Sequence, residues 1–214
     1  GIYDSSSAEE VKQLVEDSGS SILFVSSALL RPFDVGVPVI LLDDASPSSS
    51  GLSWSSFLKG VTTDVEAVRQ SAALVQGSDA AVIIYTSGTT GVSKGVVLTF
   101  RNIDTFLVSR ACSIHSAQTR AVSFLPLAHL AGQGWTIWIL VAFGGQVWFS
   151  RGLPFLVNDL RVARPTTFFA PPRVYEGWFR EYEARENPSG IKAELGLEQC
   201  ADMICAAAPF DAKI

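Results

Sequence analysis

Between Tyr85 and Val96 the chain reads YTSGTTGVSKGV, a run of hydroxyl-bearing residues and glycines that closes on a lysine. Glycines admit positive φ and close backbone approach, so a turn of this kind can aim several N–H groups at one anion. Thr86, Ser87, Thr89 and Thr90 add hydroxyl donors, Gly88 and Gly91 give the turn its freedom, and Lys94 adds a point charge. A lysine on a flexible stem can follow negative charge as a phosphate departs. The chemistry on offer is a grip on phosphate. A solvated linker is the plainer alternative, but it leaves unexplained why the run directly follows the apolar stretch AAVII at 80–84.

Other phosphate loops fit badly. A Walker A loop needs G-x-x-x-x-G-K-[ST], whereas Gly88 and Gly91 stand too close together and Lys94 follows Ser93. Asp43 and Asp44 imitate a Walker B strand end, yet they precede the loop and read more simply as the end of a strand. No G-x-G-x-x-G occurs in the loop, which leaves a dinucleotide fold unsupported. Taken alone, His129, after PLA, reads as a satisfied core histidine, and His115 as a helix-end or loop residue. Cys112, Cys200 and Cys205 form no C-x-x-C pair and read as reduced, mostly buried thiols, so no metal site is expected.

Positioning such a loop requires a scaffold, and the pattern supplies one. SAEEVKQLVEDSG places Val11, Leu14 and Val15 on one helical face and stops at Gly19. SILFVS and VPVILLDD are short apolar runs suited to buried parallel strands. The Ser/Pro/Gly-rich segment 45–56 reads as an exposed loop, and TTDVEAVRQSAALV as a helix. After the glycine loop, FRNIDTFLVSRACSI predicts a helix with Asn102 as its cap. Strand and helix then alternate: AVSFLPL, a helix around Ile137, QVWFS, PFLVNDLRVAR, TTFFAP, RVYEGWFREYEAR and ADMICAAAPF. The expected fold class is α/β, with mostly parallel sheets covered by helices. An upstream βα portion over 1–75 and a phosphate-loop and pocket portion over 76–214 are expected.

Composition narrows the partners. A hydrophobic content of 48% against 17% charged residues implies that most of the chain is core. A net charge of −5 with no basic cluster argues against nucleic acid. The N-terminal GIYDSSSAEEVKQ has neither a basic nor an apolar leader region, so no signal peptide and a cytoplasmic location are expected. The run GWTIWILVAFGGQVWF at 134–149 is too short for a helical span, which takes about 20 apolar residues. A buried helix followed by a strand explains it, and peripheral membrane contact through its tryptophans stands as the alternative.

YTSGTTGVSKGVVLTFRNI resembles the signature phosphate loop of the adenylate-forming, or AMP-binding, superfamily, with Ser93 where proline is usual. Further resemblances follow in the family's order. SFLPLAHLAGQ is similar to the motif whose histidine or aromatic lines the acyl pocket, and RPTTFFAPPRVYEGW to a stretch typical of long-chain fatty acyl-CoA synthetases. CAAAPF is similar to the strand end beside adenine, and the segment from Gly1 to Ser26 to the family's upstream region. The likeness covers essentially the whole chain.

The resemblance implies part of the N-terminal domain of an acyl-adenylate-forming enzyme. Its substrates would be ATP with Mg²⁺, a fatty acid and coenzyme A. Thr86, Ser87, Gly88, Thr89, Thr90, Gly91 and Lys94 would hold the β- and γ-phosphates, with Lys94 and Thr86 acting on the reaction itself. Ala207, Ala208 and Pro209 would wall the adenine, close strand packing being their plainer reading, and the odds on His129 turn toward the mouth of the substrate pocket. Trp135, Trp138 and Phe143 remain core residues. The family's acidic metal-ligand motif and mobile C-terminal domain would lie beyond Ile214, so residues 1–214 alone are not expected to complete adenylation. A non-catalytic nucleotide-binding module and an acyl-AMP ligase loading a carrier protein are the alternatives.

Overall fold

The computed structural model describes residues 1–26, 29, 34–43, 51–86, 93–110, 118–183 and 190–209. It divides into two compact units, Gly1–Arg101 and Asn102–Ile214.

The first unit opens with α1, Ala8–Ser18, entered through a reciprocal cap. The Ser7 hydroxyl accepts from the Glu10 amide at 3.2 Å, and the Glu10 carboxylate accepts from the Ser7 amide at 2.7 Å. Gly19, at φ 63°, closes the helix in the left-handed conformation that glycine adopts freely. Val11 and Val15 face inward against Val35 and Val39, as the periodicity predicts. Strands β1 (Leu23–Val25), β2 (Val39–Leu41) and β3 (Leu52–Ser53) pair in parallel, with β2 buried along its whole length. β3 and the start of α2 (Trp54–Leu58) occupy sequence expected to be loop. Asp64 caps α3, Val65–Leu74.

The glycine loop connects β4 (Ala80–Thr86) to β5 (Lys94–Thr99), and these two strands run antiparallel. That local hairpin corrects the sequence reading, which passes straight from loop to helix. Helix α4 spans Phe100–Arg110, so Asn102 lies inside it and is not its cap. The reason is tertiary. The amides of Phe100 and Arg101 donate to the carbonyls of Asp79 (3.1 Å) and Gly77 (2.8 Å), satisfying two of the helix-entry donors.

In the second unit β6 (Arg120–Ser123) leads through a tight turn to α5 (Leu130–Gln133). A π-helical turn, Gly134–Trp138, follows, and then α6, Ile139–Phe143. Strand β7 (Gln146–Phe149) pairs in parallel with β6. A 3₁₀ turn, Leu153–Phe155, and α7, Leu156–Ala163, lead to β8 (Thr167–Ala170). Helices α8 (Pro172–Glu183) and α9 (Ile191–Glu194) precede β9, Asp202–Cys205, which pairs in parallel with β8. The fold is thus α/β with mostly parallel pairing, as the sequence predicts.

Leu156 and Leu160 of α7, Phe168 and Ala170 of β8, and Leu197 form the heart of this unit's core. Phe168 stacks between Phe124 (5.8 Å) and Trp178 (5.7 Å). Tyr175 is half-buried, and its hydroxyl donates toward the carbonyls of Ile204 (3.2 Å) and Phe168 (3.4 Å), tying α8 to both strands. The Tyr175 ring packs against the core. Among the described residues no helix is long and apolar enough to cross a membrane. The run 134–149 folds as helix then strand.

Candidate functional site

The hairpin registers Ile83 with Val97, Ile84 with Val96, Tyr85 with Gly95, and Thr86 with Lys94. Residues opposite one another in an antiparallel pair share a face, with Cβ atoms about 5 Å apart. Thr86 and Lys94 therefore present hydroxyl and ammonium together where the strands end, and both are exposed. Side chains alternate along a strand, so Ile84 shares their face while Ile83, Tyr85 and Gly95 occupy the opposite one. Ser87, Gly88, Thr89, Thr90 and Gly91 lie outside the described residues. What is described is the base of the loop, where the Thr86 hydroxyl and the Lys94 cation are held in register.

Behind that base the Tyr85 ring lies flat along Gly95. A Cβ on Gly95 would stand 3.1 Å from the ring's Cε1 and 3.0 Å from Ile83 Cγ2, tighter than ordinary contact. The Tyr85 hydroxyl donates to Asp17 Oδ2 at 2.6 Å, which joins the hairpin to α1. Burial, with the adjacent Asp17 carboxylate, pushes the Tyr85 phenol up to about 12. It is a proton donor at neutral pH.

The remaining expected residues belong to the second unit. His129 is exposed and caps α5, its Nδ1 accepting from the Ala131 amide at 3.1 Å. The neutral ring then carries its proton on Nε2, which leaves that N–H directed away from the helix. Gly132 permits the sharp entry, because a Cβ there would collide with the Pro126 carbonyl oxygen. Inside the π-helical turn, buried Thr136 donates to the Gly132 carbonyl and lies 3.2 Å from the Ser123 hydroxyl. Trp135 stacks on Phe169 at 5.1 Å, with the Arg110 guanidinium 4.9 Å over its ring. Ala207, Ala208 and Pro209 follow β9 and are exposed, with Ala207 at φ 76°.

Cys200 is buried and Cys205 exposed, while Cys112 and His115 lie outside the described residues. Burial pushes the Cys200 thiol up to about 11. Among the described residues no group of three or more His, Cys, Asp or Glu is arranged to hold a metal ion. Sequence reasoning missed β5, although its Val-Val-Leu-Thr run is a strand signal. It also missed the Tyr85–Asp17 bridge, for which nothing local gives a sign.

The model of the AMP-binding enzyme family matches residues 1–214. The chain belongs to the AMP-binding enzyme family. Among its relatives, the long-chain-fatty-acid–CoA ligase ACSBG2 of Gallus gallus is 32% identical over 198 residues, covering 82% of this chain and 26% of that protein. The ACSBG1 ligase of Homo sapiens is 30% identical over 196 residues, covering 82% of this chain and 27% of the relative. The chain thus spans little more than a quarter of the length of these curated relatives.

Solved structures share the fold. The luciferase-like enzyme of the Zophobas morio mealworm superposes with a TM-score of 0.72 at 14% identity, covering 99% of this chain and 48% of that one. The O-succinylbenzoate coenzyme A synthetase of Bacillus subtilis, solved with AMP, gives 0.69 at 22% identity, covering 97% and 48% respectively.

Proposed function

We propose that the complete protein carrying residues 1–214 activates a fatty, long-chain carboxylate with ATP and transfers the acyl group to coenzyme A. The observation that carries this reading is the Thr86–Lys94 pair at the base of the glycine loop, in a chain of the AMP-binding family. The substrate class rests on relatives named as long-chain-fatty-acid–CoA ligases.

In the first half-reaction a carboxylate oxygen attacks the α-phosphorus, the bond to the bridging β-oxygen breaks, and pyrophosphate leaves. Charge grows on that leaving group, and preorganised donors there lower the barrier. Lys94 and Thr86, with Ser87 to Gly91, are assigned to those oxygens. In the second half-reaction a thiol attacks the acyl carbon, AMP departs, and the thiol proton passes to solvent. Magnesium would neutralise phosphate charge. His129 is assigned to the pocket mouth, where its outward Nε2–H can meet a polar group, and Ala207 to Pro209 to the wall beside the adenine. Residues 1–214 by themselves are assigned no complete turnover.

ATP–pyrophosphate exchange over a panel of fatty acids tests the reading in the complete protein. Exchange that depends on a long-chain acid and falls at least a hundredfold in Lys94→Ala, about the size expected for losing one preorganised donor, supports it. Wild-type exchange in Lys94→Ala would overturn it.

A further inference from the structure

We infer that Tyr85 is a positioning residue for the phosphate grip: braced on Gly95 and hydrogen-bonded to Asp17, it sets where Thr86 and Lys94 stand. The inference rests on the adenylation reading above.

The geometry carries it in three steps. First, Tyr85 and Gly95 form the cross-strand pair next to Thr86 and Lys94, so any tilt of the hairpin tip about Tyr85 moves both grip residues together. Second, the seat is tight on one side. The Tyr85 ring covers the place where a Gly95 side chain would sit, with Ile83 beside it. Third, the phenol oxygen is fixed at its far end by Asp17 at 2.6 Å, and α1 in turn is anchored by Val11 and Val15 in the core.

Beside the phenol lies a cavity of about 230 Å³ bordered by Leu14, Val15, Ser18, Leu23, Ile83 and Tyr85. Close packing therefore does not fill the space beside the phenol, and the hydrogen bond to Asp17 fixes the ring where apolar contact is incomplete. Tyr85 occupies the face opposite Thr86 and Lys94. It braces the hairpin tip from behind and does not reach the phosphates itself. A directed bond holds a strand end in one place better than apolar contact across a void, and displacements near 1 Å cost reactions heavily.

The test compares Tyr85→Phe, Asp17→Ala, Asp17→Asn and Lys94→Ala in the complete protein, each with its melting temperature. Pyrophosphate exchange gives kcat and the KM for ATP. Tyr85→Phe keeps the ring on Gly95, so folding is retained while the bridge is lost. In Tyr85→Phe and Asp17→Ala, kcat is expected to fall roughly tenfold at unchanged KM, the pattern of an interaction realised in the transition state. Asp17→Asn keeps an acceptor oxygen and is expected to restore most of the rate. A kcat within twofold of wild type in both bridge variants, while Lys94→Ala is inactive, would overturn the positioning role alone. So would a rise in KM at constant kcat. An active Lys94→Ala would instead remove the reading beneath it.

Discussion

Thr86 faces Lys94 as the terminal cross-strand pair of an antiparallel hairpin, so a hydroxyl and an ammonium separated in sequence by the glycine loop share one face. Their contributions to a shared phosphate become separable. Thr86→Val removes the hydroxyl and keeps the branched shape of a good strand residue. Single-turnover adenylate formation should slow by roughly 10–100-fold, at or somewhat below the range for losing one preorganised donor. The melting temperature should hold, because Thr86 is exposed. An unchanged single-turnover rate would remove Thr86 from the grip.

Stability should erode on the alkaline side. Burial raises the Cys200 thiol from 9.0 to about 11. Burial and Asp17 raise the Tyr85 phenol from 10.0 to about 12, and burial raises Tyr175 as well. For each group the folded state favours the neutral form. Its contribution is complete below the ordinary value and is lost as pH rises through the folded one. Thermal melts at steps from pH 8 to 12 should therefore decline above about pH 9, less steeply in Cys200→Ala than in wild type. A flat profile would contradict the assignment. The same elevation should leave Cys200 slow toward thiol reagents at pH 8, with exposed Cys205 reacting before it.

The parts legible in the sequence are those whose causes are local. β2 and β8 are buried along their length and read as runs without polar alternation, because neither face of such a strand meets water. Helix α1 is legible because its cap and its glycine stop lie within its own span. The start of α4 is not, since carbonyls of Gly77 and Asp79, far back along the chain from the helix, accept from its first amides. β5 escapes notice because Lys94 and Gly95 read as more loop, and the strand runs into the next helix without a break. The site shows the same division. Residue types announce a phosphate grip, but which hydroxyl faces the lysine depends on strand register, and the brace behind it joins positions 17 and 85.

His129 caps α5 through Nδ1, so its replacement carries a structural cost whatever its role toward substrate. His129→Ala should destabilise by about 1 kcal/mol, the usual loss for an N-cap acceptor. His129→Asn supplies an equivalent oxygen and should melt close to wild type. Any drop in fatty-acid kcat/KM that persists in His129→Asn then reports on the imidazole itself, through its outward Nε2–H. Equal melting temperatures for the alanine and asparagine variants would show that the cap contributes nothing.

Ala207 adopts φ 76°, a conformation costly for any residue with a Cβ. Ala207→Gly should raise stability by about 1 kcal/mol through relief of that strain, partly offset by greater freedom of the unfolded chain. Chemical denaturation measures it directly. A lower midpoint in Ala207→Gly would mean that the methyl group makes contacts outweighing the strain.

The π-helical turn at Gly134–Trp138 is a phase adjuster. A wider turn accommodates an extra residue without lengthening the helix by a full turn. Residues after the turn are thereby rotated relative to those before it by about 100°, one residue's step in a 3.6-residue helix. His129 and Gly132 meet the strand–helix junction on one phase, while Ile139 and Leu140 meet the core on another. Deleting one residue within 134–138 would straighten the helix and oblige the chain to choose between those two allegiances. Insertions and deletions here are therefore silent in composition and loud in geometry.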